Sequence, residues 1–357
     1  MQLPSASNKP DQLICPTKPS CNRTIILSVA SFFGAFFAFC PLQAADTAAE
    51  PEILSVEKIW DEAPHNAFTD LVRFENRWLC TFREGEGHVQ GNGKIRVLES
   101  QDGKKWTSAA LLEEEGIDLR DPKISVTPDG RAMLLIGGSI YQGKKFITRR
   151  SRVAFSNDGH DWTKPQIVMP DQHWLWRVTW HDGVAYGLSG AAHDDPKKQR
   201  DAVLWSSRDG LHYTPITEFN IPGQTQEMTI RFQHDGTMIA LLRRERAKTL
   251  ACIGTSRFPY KKWNWNETKH RVGGPEFIVL PDGSMWAAGR DYHDKATTVL
   301  AKMTTTEYQP VLTLPSGGDT SYPGMVWHDN LLWMSYYASH EGKTSIYLAK
   351  IKLPENK

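Results

Sequence analysis

The sequence predicts an all-β fold, a six-bladed propeller, on three observations. A segment made of a polar or acidic residue opening an apolar strand, a turn and a second apolar strand returns six times, opening at Asp70, Asp121, Arg177, Glu227, Glu276 and Tyr322. Successive openings lie 46 to 56 residues apart, the period of a propeller blade rather than of a helical solenoid. A second series runs in phase: Ser100-Gln-Asp102-Gly103, Ser156-Asn-Asp158-Gly159 and Ser207-Arg-Asp209-Gly210, each followed three residues later by Trp106, Trp162 or Tyr213, with a decayed fourth copy over residues 256–263.

Each element follows from local chemistry. Short apolar runs such as residues 131–136 and 237–242, punctuated by Asp-Gly pairs and proline, carry the strand and hairpin signal. The Asp-Gly pairs supply the positive-φ turn, and the aromatic after them is placed to pack between sheets. The blades run from about residues 61, 116, 171, 222, 273 and 317. Residues 345–352 resemble an outer strand, and one of the two terminal strands is expected to close the ring, since closure removes exposed sheet edges.

The domain plan has a leader over residues 1–45, a polar linker over 46–55 and the propeller over 56–357. Lys18 and Arg23 precede an apolar run over residues 25–39, and Leu42-Gln-Ala44-Ala45 follows Pro41. That order of charged, apolar and small residues is the pattern of a secretory signal, with cleavage expected near Ala44 or Ala45 and a secreted or periplasmic product. The run is short for a membrane span, so no integral membrane segment is expected after cleavage.

Of 357 residues, 42 are Lys or Arg and 41 Asp or Glu, and this balance gives no electrostatic case for nucleic acid as partner. A monomer is expected. Cys80 and Cys252 each sit in an apolar strand pattern and read as buried free thiols. No His/Cys cluster has zinc-ligand spacing, so neither a metal centre nor a cofactor is expected.

In a propeller the first strand of each blade lines the axis, so the six opening residues converge. Carboxylates gathered there serve as acid, base or nucleophile, and arginines grip an anionic group through paired hydrogen bonds. Trp174 and Trp176 stand at alternate positions just before Arg177 and suit either sugar stacking or blade packing. Arg149-Arg150 and Lys197-Lys198 read as exposed hairpin charges. Of the run Arg243-Arg244-Glu245-Arg246, strand alternation lets one or two residues face inward, with Arg243 the first choice and Arg244 the second.

With Glu227 opening blade four, Arg243 ending the next strand, Arg290 in blade five and Tyr322 opening blade six, the chain resembles the sialidase superfamily, whose propellers carry Asp-box turns. The resemblance covers about residue 56 to the C-terminus. It implies an exo-acting glycoside hydrolase on an acidic sugar, with Tyr322 as nucleophile, Glu227 as its base and the arginines binding a carboxylate. The family's first-blade Arg-Ile-Pro aligns with Ala67-Phe68-Thr69, and its acid/base aspartate segment with Val89-Gln-Gly-Asn-Gly-Lys94. Arg83 or Arg120 stands as the replacement guanidinium, Asp70 or Asp121 as the replacement acid, and Arg177 and Glu276 complete the expected substrate-binding set.

Three other readings compete. Asp70, Arg120-Asp121-Pro122 and Glu227 resemble the three carboxylates of five-bladed furanosidases and pyranosidases, against which the count of six openings weighs. A glycan-binding propeller without catalysis fits the two departures. A polysaccharide lyase would draw on Tyr322 and on His65, His88, His173 or His193.

Overall fold

The computed structural model describes residues 50–89, 92–191, 202–246 and 248–354. The leader expected over residues 1–45 lies outside the described residues, as do His193 and Lys197-Lys198. Among the described residues no helix is long and apolar enough to cross a membrane.

Six four-stranded antiparallel sheets form the six blades. Their inner strands are His65–Phe74, Asp118–Val126, His173–His181, Thr225–Phe232, Gly273–Val279 and Thr320–His328. The N-terminal strand Glu52–Trp60 pairs with Ser345–Lys352 as the outermost strand of blade six. Of the two terminal strands, it is therefore the first that closes the ring, and it begins at Glu52 within the stretch expected as linker. Removing it would leave the Ser345–Lys352 edge unpaired, an invitation to association. A chain starting at Asp61 is expected to unfold at lower urea than one starting at Glu50 and to self-associate by light scattering. Equal midpoints would contradict the closure.

Apolar side chains fill the spaces between neighbouring sheets. Trp78, Phe82 and Leu98 of blade one meet Tyr337, Ile346 and Leu348 of blade six, while Tyr186 and Leu204 of blade three meet Met228 and Leu242 of blade four. Cys80 and Cys252 are buried free thiols in blades one and four, and burial pushes both thiol pKa values up.

The three Ser-x-Asp-Gly turns share one hydrogen-bond pattern. The serine Oγ accepts from the glycine N–H, and the aspartate Oδ1 accepts from the next two backbone N–H groups. These donors hold the exposed Asp102 and Asp158 carboxyls down to about 2. Each turn glycine also abuts the preceding blade, Gly103 against Trp333, Gly159 against Leu79 and Gly210 against Met133.

Every inner strand breaks register at the same place. The shifts lie between Ala67 and Asp70, Arg120 and Lys123, Leu175 and Val178, Thr225 and Met228, Gly273 and Glu276, and Ser321 and Gly324. Six equivalent β-bulges result, a device that re-aims side chains beside a site. Three place proline second in the bulge, as Asp121-Pro122, Gly274-Pro275 and Tyr322-Pro323, where no ladder N–H is required. The residue before the proline takes positive φ in each case, 50° at Asp121, 59° at Gly274 and 32° at Tyr322.

Candidate active site

The bulges of blades four, five and six bring one cluster together. Glu227 accepts from Arg243 Nη1 at 2.7 and 2.6 Å on its two oxygens, from the Gly274 N–H at 2.7 Å and from the Tyr322 hydroxyl. Arg243 Nη1 also lies 3.1 Å from Tyr322 Oη. Gly274 is required here because a Cβ would lie 2.0 Å from Tyr322 Cδ1. The bare backbone lets the phenol ring pass while donating to Glu227.

Burial alone would raise the Glu227 carboxyl. Arg243 and the hydrogen bonds from Tyr322 and Gly274 outweigh it and hold the group below the usual glutamate range. Burial, followed by the Glu227 carboxylate, pushes the Tyr322 phenol well above the usual tyrosine range. The resting pair is thus a neutral phenol on an ionised carboxylate. Trp176 packs edge-on to Tyr322 at 5.2 Å between centroids, and Lys123 sits beneath the ring, its ammonium lowered to about 8 by burial and by Arg177.

A cavity of about 520 Å3 opens above this cluster. Tyr322, Glu227, Arg243 and Glu245 line one side, Arg120, Arg149 and Trp174 another, and Tyr141, Phe146, Gln172 and His88 extend the wall. Arg149 stands 3.6 Å over the Trp174 ring, so it belongs to the cavity wall and not to an exposed hairpin pair. Trp174 is a cavity residue, whereas Trp176 is buried below. Arg244 turns away from the cavity, bonding the Leu250 and Pro222 carbonyls and pairing with Glu267.

Other expected site residues sit elsewhere. Asp70, Arg177 and Glu276 do not line the cavity. Arg177 pairs with Asp70 at 2.8 Å and with Glu276, which also pairs with Arg231. Asp70 accepts from the Ile124 N–H at 2.8 Å. This chain of charges ties blades one to five across the axis, and all three residues are at most 6% exposed. They do not share one strand position, since Arg177 is the second residue of its bulge whereas Asp70 and Glu276 follow theirs. Arg83 is fully buried, bonded to Asp118 at 2.8 Å and to the Gly87 carbonyl at 2.7 Å. Arg120 reaches the wall while pairing with Asp121 at 2.9 Å. Asp121 is buried beside it and is not a wall residue. Arg290 bonds the Thr320 carbonyl at 2.6 Å, Tyr337 Oη at 2.9 Å and Asp319 at 3.3 Å, outside the wall.

Asp319 was not anticipated. Its Oδ2 lies 2.9 Å from His65 Nε2 and 2.7 Å from His88 Nδ1. Among the described residues this is the group whose ligand-type atoms come within 4.8 Å of one another. Hydrogen bonds already join its members and the Arg290 guanidinium faces the other oxygen, an arrangement that disfavours a cation. His173 lies apart, bonded to Ser189. A His65 or His88 partner in loop 317–319 had no sequence signal beyond a lone aspartate after two glycines.

The sequence matches no protein-family model and no curated protein. Solved structures share its fold. A protein of unknown function from Dyadobacter fermentans superposes with TM-score 0.77 at 17% identity, covering 85% of this chain and 99% of that one. An α-L-arabinofuranosidase of Fusarium graminearum, solved with arabinobiose, gives TM-score 0.66 at 12% identity over 84% and 98% of the two chains. Trypanosoma rangeli sialidase gives 0.63 at 12% identity, covering 85% of this chain and 60% of the sialidase. The chain is a sialidase-like six-bladed propeller, the architecture expected from its repeat.

Proposed function

We propose that the protein is an exo-acting glycoside hydrolase in which Tyr322 attacks the anomeric carbon while Glu227 takes its proton. The observation that carries this reading is the hydroxyl-to-carboxylate contact at the cavity floor, with Arg243 bridging both groups. A nucleophile oriented on a base that is itself oriented by a third group is the signature of an activated nucleophile. The likeness to a sialidase and an arabinofuranosidase supports the reaction class.

Arg120, Arg149 and Arg243 face the cavity against Glu227 and Glu245. Guanidiniums presented to the cavity are donors suited to an anionic group on the sugar, and a neutral phenol would not repel it. A second reading, a neutral sugar, is favoured by Arg290, which Asp319 and Tyr337 hold outside the wall. Turnover of sialosides, uronides, sulfated glycans and arabinosides by purified protein separates the two. Absence of turnover on every class would leave a glycan-binding propeller.

The Glu227→Gln variant is expected to lose about 10²- to 10⁴-fold in kcat, the scale of a lost general base. The pH dependence has a definite sign. Glu227 acts as its carboxylate, and its folded pKa is depressed, so its function persists below the ordinary value of 4.5 and fails only as pH falls through the lowered one. An acid limb assigned to Glu227 and centred above 4.5 would contradict the pairing.

A further inference from the structure

Cleavage of a glycosidic bond needs a proton for the departing oxygen, and the cavity wall is short of free carboxyls. Among the described residues the wall carboxylates are Glu227, engaged by Tyr322, Arg243 and Gly274, and Glu245, engaged by Arg243 and Arg271. Asp70 and Asp121 lie beneath the wall. The wall's imidazole is His88.

His88 has a side chain 46% exposed at the cavity. Phe68 separates it from the nucleophile, its ring centroid 5.1 Å from His88 and 5.2 Å from Tyr322. Asp319 holds the imidazole through Nδ1 at 2.7 Å. The carboxylate is anchored in turn by Arg290 at 3.3 Å and by the Tyr337 hydroxyl at 3.2 Å. Burial would raise the Asp319 carboxyl, but His65, His88 and Arg290 hold it well below the usual range, so it is ionised. An anionic acceptor on Nδ1 fixes that nitrogen as the N–H and leaves Nε2 to exchange protons. His65, the other imidazole facing Asp319, has a buried Nδ1 with no hydrogen-bond partner. Protonating it would bury an unpaired N–H. Of the two histidines, His88 is the one whose side chain opens on the cavity.

We propose that His88 is the acid/base catalyst of this site, with Asp319 as its positioning residue; the assignment rests on the Tyr322 nucleophile reading above. In the first step Tyr322 Oη bonds the anomeric carbon, its proton passes to Glu227, the bond to the leaving oxygen breaks and His88 Nε2–H protonates that oxygen. In the second step water attacks the anomeric carbon and gives its proton to His88 Nε2. The carbon–tyrosine bond breaks and Glu227 returns the phenol proton. The sum is hydrolysis.

The test compares kcat/KM for two substrates of whichever sugar the wild type releases, a 4-nitrophenyl glycoside and a methyl glycoside. A nitrophenolate leaves without a proton, whereas methanol needs one. His88→Gln is expected to slow the methyl glycoside about 10²- to 10⁴-fold and the nitrophenyl glycoside less than about tenfold, with the same split, smaller, for Asp319→Asn. His88→Asn serves if the glutamine variant does not fold. Equal slowing of both substrates, or of neither, overturns the assignment, as does a split found in Asp121→Asn instead. Tyr322→Phe is expected to lose both substrates, and this arm judges the underlying reading separately. If it keeps its rate, or if the wild type has no turnover, the nucleophile reading falls and this assignment with it.

Discussion

Replacing Tyr322 by phenylalanine is expected to lower kcat by about 10⁴-fold or more while leaving the fold in place. Members of a nucleophile–base unit act together, so losing one costs nearly what losing the unit costs. The substitution removes one oxygen and leaves the ring packed against Phe68, Trp176 and the Gly274 backbone. Glu227 keeps Arg243 and the Gly274 N–H as partners, so the stability change is expected to stay near 1 kcal/mol, the scale of one hydrogen bond. Steady-state kinetics on the best substrate of the panel, beside a urea melt, checks both halves. A residual rate above a tenth of wild type would remove the phenol from the chemistry.

Arg177→Ala should act in the opposite manner, costing stability before anything else. The guanidinium is buried between Asp70 and Glu276, and removing it leaves two buried carboxylates with one cation, Arg231 on Glu276, and one backbone N–H, that of Ile124 on Asp70. Breaking a buried ion pair by deleting one partner typically costs about 3–5 kcal/mol. The effect is expected to be largest at neutral pH and to shrink in acid, because burial already raises the Glu276 carboxyl above its ordinary value and a protonated Glu276 no longer needs its counter-charge. Urea midpoints at two pH values measure this. A midpoint within experimental scatter of the wild type would show that the axial charges are not what ties the blades.

The ring was legible because both of its signals are local. A blade announces itself through the spacing of apolar runs, and the Ser-x-Asp-Gly turns reveal their register through a fixed hydrogen-bond pattern. The cluster of Glu227, Arg243 and Tyr322 was legible too, since each residue holds an expected place in consecutive blades. What escaped was depth along the axis. Asp70, Arg177 and Glu276 open their blades as Glu227 does, yet Asp70 and Glu276 lie just past their bulges, and Arg177, which shares the second bulge place with Glu227, pairs with both of them. Bulge position depends on backbone pairing with the neighbouring strand, which composition does not encode. Gly274 escaped for a related reason, because its role is to have no side chain where Tyr322 passes. Asp319 lay in a turn rather than a strand, where periodicity is silent.

The six bulges carry a further consequence. Hydrogen bonding between strands resumes on either side of each one, so the residues inside it are held in place without being needed by the ladder. Chemistry at the axis is therefore modular: phenylalanine, aspartate, tryptophan, glutamine, glycine and tyrosine occupy the same first bulge position at Phe68, Asp121, Trp176, Gln226, Gly274 and Tyr322. One scaffold can thus exchange its reactive groups a blade at a time, and specificity can drift far while the architecture stays still.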